Sequence, residues 1–223
     1  MLAFNAKTCC LCSQIRGEES NDLISTLLPR GPYIRRVSWE SEHFAVLPSL
    51  GPLAPGHMLL CPKGHVKNMA CLSGTYDNEL RAVKRALCEK LTEMYGLSVH
   101  LFEHGSPKEG TRIVCTVDHA HLHFVPADAD VWESTRDEVK WNSVAAMPSD
   151  LRAVAGCAEY LYYESPDHRA YVAKAEGSMF ESQYMRRAFA RALGNGAEWN
   201  WRDNPCAEEV HQTYVSVREA FAR

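Results

Sequence analysis

The chain has no apolar run approaching the length of a membrane span, and its N-terminus lacks the core of a signal peptide. It has no excess of positive charge: 24 Lys and Arg against 28 Asp and Glu leave a net charge of −4. That removes bulk attraction for nucleic acid or an acidic membrane. It has no second C-x-x-C to accompany Cys9 and Cys12, and its nine cysteines are an odd, scattered set. Such usage argues against a disulfide framework and for a reducing compartment, with the cytoplasm expected. A hydrophobic fraction of 46% and a charged fraction of 23% over 223 residues suit one ordinary globular domain with an extension.

What the sequence does have is histidine concentrated in one place. Asp118-His119-Ala120-His121-Leu122-His123-Phe124-Val125-Pro126 alternates imidazoles with apolar residues, the period of a strand whose side chains point to opposite faces. Three imidazoles on one face make poor core filler, because each brings nitrogens that need partners once buried. On a flat strand the outer two would stand about 13 Å apart, whereas zinc holds nitrogen at roughly 2.1 Å. One metal cannot take both. No Asp-His pair follows the repeat, and Ala127 stands where a fourth-position Glu would complete a different metal motif. The histidines are therefore expected to divide their labour.

Cys9 and Cys12 have the spacing at which two thiolates reach one tetrahedral zinc, but two cysteines leave such a site half-ligated. Between this pair and the histidine run, strands are expected at 33–39, 44–47, 57–62 and 97–102. The turn-rich loop 51–56 delivers His57 to the third of them. The apolar spacing of Leu80, Val83, Leu87, Leu91 and Met94, with Gly96 as a stop, predicts the main helix over 75–95.

Pro55-Gly56-His57-Met58-Leu59-Leu60-Cys61-Pro62-Lys63-Gly64-His65 and His119-Ala120-His121-Leu122-His123-Phe124-Val125, in that order behind a C-x-x-C, resemble the histidine triad (HIT) superfamily of nucleotide hydrolases and transferases. The resemblance implies an α+β HIT-like fold, an antiparallel sheet with helices packed on it, assembled as a homodimer. It implies that His121 attacks the α-phosphorus of a nucleotide conjugate, while His123 and His57 hold phosphate oxygens and assist the leaving group. It also implies a structural Zn2+ held by Cys9, Cys12, His65 and His119. The sequence departs from the family pattern at Glu103-His104-Gly105 and at Val114-Cys115-Thr116, where His104 and Thr116 become candidate phosphate contacts.

Residues 1–128 are thus expected to form the HIT domain, with 129–223 an α/β extension packed on it. In the extension, strands are expected at 159–164 and 170–173 and a helix at 183–193. A last helix is expected to be opened by Asn204-Pro205 and to bury Val210, Tyr214, Val217 and Phe221. Residues 144–155 show little pattern. The extension weakly resembles the C-terminal region of CwfJ-like HIT relatives, which supplies an alternative: a nucleotide- or RNA-associated scaffold with little catalysis. Added surface is where selectivity would reside, and Arg186, Arg187 and Arg202 are the candidate contacts. The expected partner is a nucleotide small molecule; no membrane partner is expected, and nucleic acid is disfavoured.

Overall fold

The computed structural model describes residues 9–18, 35–107, 117–148, 151–155, 158–175, 180–194 and 198–223. Its strands are β1 (Trp39–Glu40), β2 (Phe44–Pro48), β3 (Met58–Pro62), β4 (Val99–Gly105), β5 (Leu122–Pro126), β6 (Asn142–Val144), β7 (Glu159–Glu164) and β8 (Ala170–Ala175). They form one sheet in the order β1-β2-β3-β5-β4-β7-β8-β6, and every neighbouring pair is antiparallel. No break in hydrogen bonding falls near residue 128: β4 lies against β5 on one side and against β7 on the other. The extension thus continues the sheet that carries the histidines.

The helices are α1 (Cys10–Arg16), α2 (Asp77–Tyr95), α3 (Val131–Thr135), α4 (Leu151–Ala155), α5 (Tyr184–Ala192) and α6 (Ala207–Ala222). On one face of the sheet, Leu60, Leu101, Leu122 and Phe124 pack against Leu80, Val83, Leu87 and Leu91 of α2 and Val217 of α6. The alternation of β5 decides this sorting, since Leu122 and Phe124 point one way and His123 and Val125 the other. Phe124 is fully buried, so its truncation to Ala should cost about 3–5 kcal/mol. The opposite face is covered in two parts. At the β2–β3 end, Leu11, Cys12 and Ile15 of α1 meet Ala45, Leu47, Leu59 and Cys61. Towards β4 and β7, Met185 and Phe189 of α5 pack on Phe102, Val125, Leu161 and Tyr163. The histidine cluster lies on this second face, between the two covers.

α2 follows its predicted stripe, ending at Gly96 in the left-handed region (φ 66°). One polar residue shares the stripe: buried Lys84 reaches Glu164 at 2.6 Å and the Met147 carbonyl at 3.1 Å.

Several expectations are corrected. β5 begins at Leu122, not at His119, because residues 117–121 bend: the His119 N–H returns to the Val117 carbonyl, and the Ala120 N–H goes to Val66. β1 has only two residues, and residues 33 and 34 of the strand expected there lie outside the described residues. The last helix begins at Ala207 behind Cys206, because the Pro205 carbonyl is engaged by the Gly51 N–H. Its Phe221 is half-buried and stacks on Trp39 at a ring distance of 4.5 Å. The 144–155 stretch does contain order, in the end of β6 and in α4; elements of three and five residues are too short to show a period.

Candidate active site and metal centre

His57 stands immediately before β3, His104 lies in β4, His121 immediately before β5 and His123 within it. β5 is the hinge of the arrangement, because His123 is paired across the sheet with Leu59 on one side and Phe102 on the other. The Phe102 ring stacks on the His123 imidazole at 4.1 Å and 8°. Around His123 lie the rings of His121 at 5.0 Å, His57 at 5.1 Å and His104 at 6.4 Å. All four histidines are buried.

Their hydrogen bonds fix which nitrogen carries each proton. The Leu53 N–H donates to His57 Nδ1 at 3.1 Å, so a neutral His57 carries its proton on Nε2. That Nε2–H lies 2.9 Å from His123 Nδ1 and donates to it, which puts the His123 proton on its own Nε2. The Met185 N–H, at the start of α5, donates to His104 Nε2 at 3.0 Å and leaves the proton of His104 on Nδ1. His121 is oriented the other way round. Its Nδ1–H donates to the His119 carbonyl at 2.6 Å, leaving the lone pair on Nε2.

Burial, first of all, holds the basicity of these rings down: His57 and His123 lie well below the ordinary range, His104 falls to about 3 and His121 to about 4. A nearby cation, Arg186 of α5, works in the same direction on all four. At neutral pH the cluster is four uncharged imidazoles with two N–H donors left for a ligand, on His123 Nε2 and His104 Nδ1, and one free lone pair, on His121 Nε2. It can accept an anion, and it can attack an electrophile through His121.

The second group lies beside it. Cys9, Cys12, His65 and His119 bring four ligand atoms within 4.8 Å of one another. His119 donates from Nε2 to the Pro62 carbonyl at 2.8 Å, which turns Nδ1 to the thiols, 3.4 Å from Sγ of Cys9 and 3.4 Å from Sγ of Cys12. His65 Nδ1 is likewise 3.4 Å from Cys12 Sγ. A tetrahedral zinc with its usual bond lengths separates sulfur and nitrogen ligands by about 3.6 Å. Donor set, spacing and burial therefore fit such an ion. The two thiols also share a proton: the hydrogen bond between them draws Cys12 down to about 7 and pushes Cys9 up to about 11. α1 supplies the geometry, since Cys9 is its N-cap and Cys12 lies in its first turn. The bend at 117–121 turns His119 to the thiols while His121 and His123 stay with the other histidines.

The three arginines named from the sequence part company. Arg186 is buried, its Nε donating to the Trp199 carbonyl at 2.8 Å and its Nη2 to the Gly51 carbonyl. Arg187 is half-buried, pairs with Glu181 at 3.1 Å and lies over the Trp199 ring. Arg202 is exposed and lies over Trp201. Thr116 lies outside the described residues. Sequence reasoning missed Leu53, whose backbone N–H sets the His57 tautomer, and Phe102, whose ring supports His123. The loop 51–56 was visible as turn chemistry, but a backbone donor carries no residue signature.

A protein-family model for the HIT domain matches residues 35–130. No curated protein matches the chain. Among solved structures, a hypothetical histidine triad nucleotide-binding protein from Sulfolobus tokodaii aligns at 15% identity and TM-score 0.47, covering 96% of this chain and 92% of that one. A HIT family protein from Bacillus anthracis aligns at 20% identity and TM-score 0.42, covering 60% and 87%. A Zn-bound histidine triad family protein from Mycobacterium smegmatis aligns at 19% identity and TM-score 0.41, covering 56% and 80%. No helix among the described residues is long and apolar enough to cross a membrane. The segment 35–130, which holds His57, His65, His119, His121 and His123, is similar to the HIT domain.

Proposed function

We propose that the cluster cleaves or transfers at the α-phosphorus of a nucleotide conjugate, through a covalent nucleotidyl-His121 intermediate. The observation that carries this reading is the 2.6 Å hydrogen bond from His121 Nδ1–H to the His119 carbonyl, which commits the other nitrogen to be the nucleophile. Nε2 bonds to phosphorus as the bond from phosphorus to the leaving group breaks, and its electron pair departs with the leaving group. Nδ1 keeps its proton, so the adduct is a cationic imidazolium, still donating to the His119 carbonyl. Water or another acceptor then displaces the imidazole, which regains its lone pair, and the acceptor's proton passes to solvent.

His123 donates from Nε2–H to a phosphate oxygen. It acts as a hydrogen-bond donor and not as an acid, because losing that proton would leave an imidazolate beside a His57 that is itself already donating. The leaving group therefore departs as an anion or takes its proton from water. His57 serves through His123 and does not itself touch phosphate. The donor of His104 is a further phosphate contact.

We further propose that Cys9, Cys12, His65 and His119 hold a structural zinc. A closed four-ligand site offers no position for an activated water; bound there, the ion would tie α1 to the turn before β5. The homodimer implied by the family resemblance would use a helical face, since the sheet ends in strands of two and three residues. The same reading places the protein in a reducing cytoplasm.

The test is turnover of a panel of nucleotide conjugates by His121→Ala, with product chromatography. The variant should lose several orders of magnitude in rate while still binding nucleotide. Wild-type protein, denatured during turnover without acid, should carry a nucleotide mass on His121. Near-wild-type turnover by the variant would refute the mechanism. Nucleotide affinity without product or adduct from any conjugate would leave the scaffold alternative.

A further inference from the structure

Arg186 has two features that a structural arginine does not need. Its hydrogen bonds go to two backbone carbonyls, those of Trp199 and Gly51, which a neutral amide side chain could satisfy. Yet it brings a full positive charge into a buried position, only 3% exposed, with no carboxylate partner among the described residues. Burying an unpaired ion is costly, because its lost hydration is not replaced by an opposite charge. The contrast within the same chain is Lys84, also buried, which is neutralised by Glu164 at 2.6 Å. Burial weakens the guanidinium only to about 9, so it stays charged at neutral pH.

The position of this charge is informative. Arg186 lies one residue beyond Met185, whose N–H is bonded to His104, and α5 packs on Phe102, which stacks on His123. The guanidinium is close enough to bear electrostatically on His57, His104, His121 and His123 alike. Neutral imidazoles offer donors but no net charge, so this cation is the counter-ion the cluster holds ready for an anionic group.

We propose that Arg186, carried by a helix outside the family domain, supplies the fixed positive charge that binds the ligand's phosphate in the histidine cluster. The anion site is then assembled from two parts of the chain, residues 35–130 and the extension. This rests on the nucleotide reading above and adds the residue that selects a charged ligand over a neutral one. Arg187 and Arg202, engaged with Glu181, Trp199 and Trp201, are excluded from the role.

The experiment is calorimetric titration of the full-length protein with AMP and with adenosine, the same base and sugar without the phosphate. Wild type should bind AMP at least tenfold more tightly than adenosine. Arg186→Gln, which keeps amide donors for the carbonyls but loses the charge, should remove that preference and leave adenosine affinity in place. Arg186→Lys should retain part of it, and Arg202→Gln all of it. Should Arg186→Gln fail to fold, the Arg186 side-chain Nε–H signal of the wild type serves instead: it should move on adding AMP and stay still with adenosine. An unchanged AMP preference in folded Arg186→Gln, or a side-chain signal indifferent to AMP, overturns the proposal while the His121 mechanism stands. AMP preference abolished by Arg186→Gln in a protein that forms no adduct supports this proposal and removes the catalytic reading. Wild type that shows no preference for AMP over adenosine overturns this proposal, while the His121 adduct decides the catalytic reading separately.

Discussion

His57 Nε2 stands 2.9 Å from His123 Nδ1, and the Leu53 N–H on the far side of His57 decides the direction of that hydrogen bond. A backbone amide in a loop therefore sets the tautomer of an imidazole two rings away. The arrangement predicts that His57→Ala slows turnover by about 10- to 100-fold, the usual consequence of losing a partner that orients a functional imidazole. His57→Gln, whose amide can still donate to His123 Nδ1, should recover part of that loss. Steady-state rates of the two variants check this; equal rates would show that the relay does not matter.

Metal content gives an independent test. Cys9→Ser should reduce bound zinc from about one per chain and lower the melting temperature, because ligand binding energy at such a site is folding energy. His121→Ala should keep the zinc, since its side chain is not in the Cys9, Cys12, His65, His119 group. Elemental analysis of protein purified without chelators reads both.

Stability should depend on pH through buried groups of opposite sign. His57, His104 and His123 have folded basicities below the unfolded value near 6.5. Their contribution is complete above that pH and is lost progressively as the pH falls below it. Glu103 is the reverse: burial raises it to about 7, so its contribution is complete below about 4.5 and is lost as the pH rises through 7. Between pH 4.5 and 6.5 the protons of the buried histidines, His121 included, outnumber the one of Glu103, each worth about 1.4 kcal/mol per pH unit, and acidification should destabilise. Glu103→Gln removes the opposing proton, so its melting temperature should fall more steeply than wild type from pH 7 to pH 5. A shallower fall would contradict the sign.

Gly51 joins the two parts of the chain. It has φ 52°, and an added Cβ would lie 2.6 Å from the Asn204 carbonyl oxygen and 2.6 Å from Trp201 Cα. Its N–H donates to Pro205 and its carbonyl accepts from Arg186. Gly51→Ala should cost about 1–3 kcal/mol from the backbone conformation alone, with the clash added. Because the same residue holds Arg186, AMP affinity should fall with it. Thermal melts and titration of the folded variant check both.

The parts of this site that were legible in the sequence are those written locally. The alternation around His121 and His123, the C-x-x-C and the placing of His57 and His65 behind a turn-rich loop are all short-range patterns, and the structure brings these residues together. The bend at 117–121 was not legible, because it depends on Val66 receiving the Ala120 N–H from a distant segment. Choosing Arg186 from three arginines needed the Trp199 and Gly51 carbonyls, and neither bears on local periodicity. The strands at 159–164 and 170–173 were visible as β-rich runs, whereas their place beside β4 was not: pairing partners far apart in sequence leave no mark in either strand.

The β4–β7 pairing also sets an order of events in synthesis. β4 emerges from the ribosome well before Glu159–Glu164 exists to cover it, at ordinary elongation rates by a few seconds. During that interval Leu101–Gly105 presents open backbone N–H and C=O groups along one edge, the kind of edge that recruits foreign strands. A chain released at the end of the family-model segment would keep that edge permanently. The last third of the polypeptide thus acts, before any chemistry begins, as the resident guard of the strand beside the histidines.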